Sequence, residues 1–241
     1  MKLHLQGLTF NDSRWRDDAH PFRVPAVQHV KQHGLKFTSP VTFFVGENGS
    51  GKTTLLEAIV ARYPRTGAWT PYSRRVGVEL SLEDAPLGWN VELERPRDAT
   101  AEGFFLRAST LGGLIGDLER EAVPEARATR LLRRSHGEGL LGVLNAHFES
   151  RGMYFLDEPE TALSFRATLG VLALLHSLAQ NGSQVICATH SPVLLALPGA
   201  QILEFGDHGI REVARDDLEL MRDWRSFLEN PDMFLRYLLE P

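Results

Sequence analysis

A single cysteine, Cys187, occurs among 241 residues, so no disulfide can form within the chain, and a reducing, cytoplasmic setting is expected. Long apolar runs are missing too. The longest, residues 169–175, stops at His176, far short of the ~18 residues of a bilayer-crossing helix. The opening Met1-Lys2-Leu3-His4-Leu5-Gln6 has no unbroken apolar core and does not read as a secretion signal. Net charge is −5 and the isoelectric point is near 6.0, which excludes a strong global attraction to nucleic acid or anionic lipid. Lysine is scarce: Lys2, Lys31, Lys36 and Lys52 are the only lysines among 26 basic residues, and none follows residue 52. What is present, 43% hydrophobic and 24% charged residues without repeats or heptads, is the balance of an ordinary globular chain. One domain over residues 1–241 is expected.

The pattern along the chain is that of an α/β protein. Residues 2–10 alternate around Leu3 and Leu5 as a strand, and the polar stretch through Asp12, Pro21 and Pro25 reads as loop with short pieces. Val41-Thr42-Phe43-Phe44-Val45 reads as a buried strand ending at Gly46, and residues 52–63 place apolar side chains at helical spacing up to Pro64. Between residues 75 and 94 the period falls to two. Val76, Val78, Leu80 and Leu82 share one face, and Val91 and Leu93 follow a turn at Ala85-Pro86-Leu87-Gly88. This predicts an antiparallel hairpin within a β insertion over about residues 70–100. Phe104-Phe105-Leu106 is a third β-like piece, followed by a helical region over about residues 108–150. Predicted strands at 153–156, 184–188, 201–205 and 210–213 then accompany helices at 162–180 and 216–239. Such alternation predicts a mostly parallel sheet flanked by helices on both faces.

Gly46-Glu47-Asn48-Gly49-Ser50-Gly51-Lys52-Thr53 fits G-x-x-x-x-G-K-[ST] between a predicted strand and a predicted helix, the setting of a phosphate-binding loop. Glycines let successive main-chain N–H groups turn inward around phosphate oxygens, and the helix N-terminus adds partial positive charge. Residues 46–54, ending at Thr54, are the candidate nucleotide cradle of a P-loop NTPase fold. Lys52 would reach the β- and γ-phosphates, and Thr53 offers a hard hydroxyl oxygen to Mg²⁺. A guanine-reading Asn-Lys-x-Asp segment is excluded after residue 52, because no lysine occurs there.

Met153-Tyr154-Phe155-Leu156-Asp157-Glu158 is an apolar strand ending in two acids, at the edge where an open α/β sheet presents ligand groups. Asp157 is the candidate for supporting Mg²⁺, directly or through water. Glu158, pointing the other way if strand geometry continues, is the candidate general base for the water that attacks the γ-phosphate. Gly46 to Thr53 together with Leu156-Asp157-Glu158-Pro159 resemble the ATP-binding-cassette (ABC) ATPases, including the RecF/SMC-like branch of small AAA-family ATPases. Thr161-Ala162-Leu163-Ser164 stands where that superfamily has its D-loop, with Ser164 in place of the usual aspartate. Thr189-His190-Ser191-Pro192 resembles the switch-histidine segment, and an imidazole N–H at His190 can bond the γ-phosphate or its attacking water.

Ser135-His136-Gly137-Glu138-Gly139 stands where ABC ATPases carry their Leu-Ser-Gly-Gly-Gln signature. Ser135 and Gly137 match, whereas His136 and Glu138 depart from the transporter pattern. Ser135 with Glu138 also reads as a capping box, and a capped helix start is compatible with contacting a second molecule's γ-phosphate. No glutamine occurs between Lys52 and Asp157, where ABC ATPases sense Mg²⁺ with one. Arg107 or Ser109 is the candidate substitute, and an ordinary strand end is the alternative. Arg127, Arg130, Arg133 and Arg134 fall partly on one helical face, which is either a solvated or intersubunit surface or a DNA-backbone contact. For the adenine, Phe22, Arg23 and Lys36-Phe37 stay open as candidates.

The resemblance implies an ATP- and Mg²⁺-dependent ATPase in which Lys52, Glu158 and His190 act on the phosphates. Two copies associate head to tail, with ATP between the loop of one and Ser135 and Gly137 of the other, and with DNA or a protein as candidate effector. The alternative is the ATP-binding subunit of an ABC transporter, whose partner is a membrane subunit. A GTPase or nucleotide kinase shares only the loop, and a nucleotide-gated binding module with negligible turnover is the non-enzymatic alternative.

Overall fold

β-Branched and aromatic residues fill Val41–Gly46, and all but the terminal glycine are buried, as a strand enclosed on both faces requires. This is β3 of the computed structural model, which describes residues 2–64, 82–83, 85–100, 102–107, 151–161 and 163–239. Before it come β1 (Gly7–Phe10), α1 (Pro25–His33) and β2 (Leu35–Lys36). After it come α2 (Lys52–Arg62), β4 (Val91–Glu94), β5 (Gly103–Arg107), β6 (Met153–Asp157) and α3 (Phe165–Gln180). The last elements are β7 (Gln184–Ala188), β8 (Gln201–Gly206), β9 (Gly209–Glu212), α4 (Glu219–Glu229) and α5 (Pro231–Leu239).

The main sheet runs β5-β6-β7-β3-β8-β9 and is parallel except at the β8–β9 hairpin. A smaller antiparallel sheet runs β2-β1-β4. Alternate residues of the parallel strands enter two cores. Phe44, Phe155, Ile186 and Leu203 join Val27 and Val30 of α1, Leu55 and Ile59 of α2, and Leu8 of the small sheet. Phe43, Tyr154, Leu156, Val185 and Cys187 join Val171, Leu175 and Leu178 of α3. The α/β class and the mostly parallel sheet agree with the sequence pattern. Among the described residues, no helix is long and apolar enough to cross a membrane.

Several elements differ from their predicted form. α1 lies inside the stretch read as loop: Pro25 suits the first helical turn, and only Ala26, Val27 and Val30 are buried, too few to show a period. The strand predicted from residue 2 is regular only from Gly7. β4 pairs with β1, while Val76, Val78 and Leu80 of the predicted hairpin lie outside the described residues. β5 is a parallel strand of the main sheet, beside β6. α3 begins at Phe165 because Ser164 caps it, its Oγ accepting the Ala167 N–H at 3.3 Å. The C-terminal helix is two helices, α4 and α5, that meet at Asn230-Pro231.

One buried side chain fastens the N-terminal segment to the main sheet. Gln184 Oε1 accepts the N–H groups of His4 and Leu5, both at 2.8 Å, and Gln184 Nε2 donates to Leu5 O at 2.8 Å. Leaving such buried main-chain groups unpaired costs ~1–3 kcal/mol each. Gln184→Leu is therefore expected to lower unfolding free energy by about 3 kcal/mol or more in urea titration. An unchanged midpoint would show that the segment needs no tether.

Candidate active site

Backbone shape makes the loop between β3 and α2. Gly46, Gly49 and Gly51 have φ of 149°, 83° and 101°, a region that L side chains rarely adopt. A Cβ on Gly46 would stand 2.2 Å from Phe205 O of β8, and one on Gly51 would stand 2.8 Å from Val24 Cγ1. Packing thus requires these two glycines independently of any ligand. α2 starts at Lys52 without a side-chain cap, so its first-turn N–H groups and its dipole face the loop as an anion site. Ser50 Oγ is buried there with no hydrogen-bond partner among the described residues.

Lys52 is only 4% exposed. Its Nζ donates to Gly46 O at 2.7 Å and to Glu47 O at 2.8 Å, which holds the ammonium against the loop. Burial pushes its pKa down, and the negative charges of Glu158, Asp157 and Glu160 oppose that shift. Next to it, Thr53 Oγ1 donates to Asp157 Oδ1 at 2.9 Å. Asp157 closes β6, and its pKa is raised, mainly by burial and further by Glu158. The Thr53 hydrogen bond, Arg107 and Lys52 act the other way.

The Thr53 hydroxyl and Asp157 carboxylate fit Mg²⁺, being hard oxygens side by side at the end of the loop. Among the described residues no group of three or more His, Cys, Asp or Glu side chains is arranged to hold a metal. Arg107 is the strand-register partner of Asp157. Its guanidinium pairs with Glu57 of α2, and its Nε stands 3.9 Å from Asp157 Oδ2. Of the two candidate substitutes for the missing glutamine, Arg107 is thus at the site, and Ser109 lies outside the described residues.

β6 stops at Asp157, so alternation along a strand does not aim Glu158. Glu158 instead has φ of 49°, the only non-glycine residue in the left-handed region among those described. Its N–H donates to Ala188 O at 2.9 Å. Its Oε1 lies 3.4 Å from Nε2 of His190, two residues beyond the end of β7. Both acids and the histidine thus come from the carboxyl ends of neighbouring parallel strands. A cavity of about 550 Å³ is lined by Glu47, Asn48, Glu158, Glu160, Thr161 and His190. Glu160 was not singled out from the sequence. One of its oxygens accepts both the Thr189 hydroxyl, at 2.6 Å, and the His190 N–H, at 2.7 Å.

Other predicted positions lie outside the described residues or are not among those that line the cavity. Ser135 and Gly137, with the arginines at 127, 130, 133 and 134, fall outside them. Phe22 and Phe37 are core residues, 5% and 3% exposed, which leaves them little surface for an adenine. Arg23 donates to Asp17 O at 3.1 Å. Cys187 is fully buried in β7, where burial pushes its thiol pKa well up, as suits a small core residue.

Two family models match the chain. One, described as "AAA domain", covers residues 27–61 and contains the glycine loop. The other, described as "AAA domain, putative AbiEii toxin, Type IV TA system", covers residues 128–196 and contains the acid pair and His190. The loop, the acid pair and the histidine are arranged as in ABC-type P-loop ATPases, and the matched AAA-domain models contain them. The chain is similar to the hemin import ATP-binding protein HmuV of Idiomarina loihiensis, 26% identical over 190 residues that cover 70% of this chain and 72% of that protein. It is also similar to ABC transporter G family member 14 of Dictyostelium discoideum, 23% identical over 86% of this chain, which spans 16% of that relative's length. A solved structure of cbiO1 from Clostridium perfringens, part of the ABC transporter complex cbiONQ, aligns with a TM-score of 0.43 and 14% identity. That alignment covers 83% of this chain and 88% of the other.

The raised pKa of Asp157 has a measurable consequence. An acid whose pKa is higher in the folded chain disfavours folding when ionised, and the penalty disappears as pH falls through the folded pKa. Asp157→Asn removes that ionisation. Nucleotide-free Asp157→Asn is expected to unfold at a higher urea concentration than wild type at pH 7.5, with the gap closing as the solution is acidified. A variant less stable than wild type at pH 7.5 would mean that Arg107, Lys52 and Thr53 outweigh burial.

Proposed function

We propose that the chain hydrolyses Mg-ATP and that the nucleotide joins two copies head to tail. The observation that carries this reading is the 3.4 Å approach of Glu158 to His190 in a cavity shared with Glu47 and Asn48 of the loop. Lys52 and the main-chain N–H groups of residues 46–54, Gly46 through Thr54, hold the β- and γ-phosphates. Thr53 and Asp157 hold Mg²⁺, which when bound supplies positive charge against the phosphate oxygens. Glu158 accepts a proton from water and aims the water oxygen at the γ-phosphorus. As that bond forms, the bond to the bridging oxygen breaks, leaving ADP and phosphate. His190 donates an N–H to the γ-phosphate. The left-handed backbone of Glu158 costs about 1–2 kcal/mol, a strain that is kept where the direction of a side chain matters.

In the paired state Ser135 and Gly137 of a second copy lie over the γ-phosphate. ATP then shifts the monomer–dimer equilibrium by its differential affinity for the closed form. Residues 1–241 act as one ATPase domain in the cytoplasm, with the β insertion at about 70–100 and the helical signature region at about 108–150. The names of the relatives, a hemin import ATP-binding protein and an ABC transporter, support a membrane subunit as the partner. A second reading places the chain in the RecF/SMC-like branch with DNA as effector. His136, Glu138 and the lack of glutamine between Lys52 and Asp157 favour it.

Lys52→Ala is expected to abolish ATP binding. Glu158→Gln should keep binding, slow turnover ~10²-fold or more, and accumulate an ATP-bound dimer by mass measurement. Equal turnover in Glu158→Gln and wild type would remove the base assignment. Ser135→Arg is expected to block dimerisation and turnover while the monomer still binds nucleotide; unchanged turnover at low protein concentration counts against a shared site. Turnover measured with duplex DNA and with membrane fractions separates the two partner readings.

A further inference from the structure

His190 lies beyond the ladder of β7, which ends at Ala188. The Thr189 N–H still donates to Phe44 O of β3 at 3.0 Å, and the next main-chain donor, His190 N–H, goes to Glu160. The same Glu160 oxygen takes the Thr189 hydroxyl, and Thr189 Oγ1 in turn accepts the Ser191 N–H at 3.0 Å. Ser191 Oγ then accepts the Leu194 N–H at 3.4 Å, at the start of a short helical turn. One carboxylate is therefore the root of the hydrogen bonds that shape the segment around His190.

Glu160 reaches that segment because of the turn in which Glu158 stands. Thr161 N–H donates to Glu158 O at 3.1 Å and Leu163 N–H to Glu160 O at 2.8 Å, which folds the chain back over the end of β7. The left-handed backbone of Glu158 and the reach of Glu160 belong to one turn, so the acid and the histidine are spaced by a common device. Hydrogen bonds to an ionised acceptor are short and about twice as strong as neutral ones, which fits the 2.6 and 2.7 Å distances. Glu160 Oε2 is buried without a partner among the described residues, a cost that a hydroxyl cap in this place would avoid.

We propose that Glu160 is a positioning residue that clamps residues 189–190 and so sets His190 at its 3.4 Å distance from Glu158. The inference rests on the catalytic reading of His190. Glu160 acts through the histidine, and the loss of the clamp reduces turnover without loosening the grip on nucleotide.

The test compares full-length wild type with Glu160→Ala, Glu160→Gln, His190→Ala and the Glu160→Ala/His190→Ala double variant. Turnover and binding of a fluorescent ATP analogue are measured, together with the ¹H–¹⁵N spectrum of the free protein. Glu160→Ala should lower kcat about 10²-fold, the scale of misplacing a group by an ångström, while the Kd of the analogue changes less than about 3-fold. Glu160→Gln keeps an acceptor oxygen at the same reach and should recover most of the loss. The double variant should be no slower than His190→Ala alone. The His190 amide proton should lie downfield in wild type and Glu160→Gln and move upfield in Glu160→Ala. If Glu160→Ala does not fold, Glu160→Asp, which withdraws the carboxylate by one methylene, replaces it with the same expected pattern.

Losses that multiply in the double variant, or a His190 amide that does not move, overturn the clamp. A slow His190→Ala beside a wild-type-like Glu160→Ala overturns the clamp alone. Wild-type turnover in His190→Ala overturns the catalytic reading on which the clamp rests.

Discussion

Where β3 runs into α2, Gly46 lets the main chain of β8 come close, and the other parts of the site take their positions from that corner. Phe205 O occupies the space where a side chain on Gly46 would begin, and Val24 fills the same space beside Gly51. The loop is therefore held by strand β8 on one side and by the approach to α1 on the other. Behind it α2 is buried on most of its circumference, with Leu55, Leu56, Ala58, Ile59 and Val60 all 0% exposed. A helix packed this tightly cannot shift to suit a ligand, so the first-turn N–H groups are preorganised.

Charge is concentrated on this rigid frame at some expense to stability. Lys52 and Asp157 are both buried, and burial moves their pKa values in opposite directions, each toward neutrality. Their neighbours compensate in part: Glu158 and Glu160 act on the lysine, and Arg107 acts on the aspartate. Such a cluster adds little to stability, since an apolar set of the same volume would suit the fold as well or better. Arg107 extends the cluster to α2 through Glu57, which places a fixed cation beside Asp157.

The legible parts of the sequence were those whose chemistry is local. The glycine loop announces itself in eight consecutive residues, and the acid pair follows directly on an apolar strand. His190 was legible from the strand preceding it. Glu160 was not, because its partners Thr189 and His190 stand 29 and 30 positions away and no spacing rule links them. The main-sheet place of β5 was hidden for the same reason, since its register partners in β6 are fifty residues further on. α1 was missed because Pro21 and Pro25 read as loop markers, although proline is at home in a first helical turn. The turn at Glu158 was missed because residues outside glycine, asparagine and aspartate rarely signal a positive φ.

Cys187 occupies the middle strand between the acids of β6 and the loop of β3, fully buried and the only thiol of the chain. A maleimide or disulfide reagent therefore meets no reactive sulfur until the central sheet itself comes apart. The rate of alkylation becomes a stopwatch for global opening, and a cysteine introduced at any surface position can carry a spectroscopic label free of background.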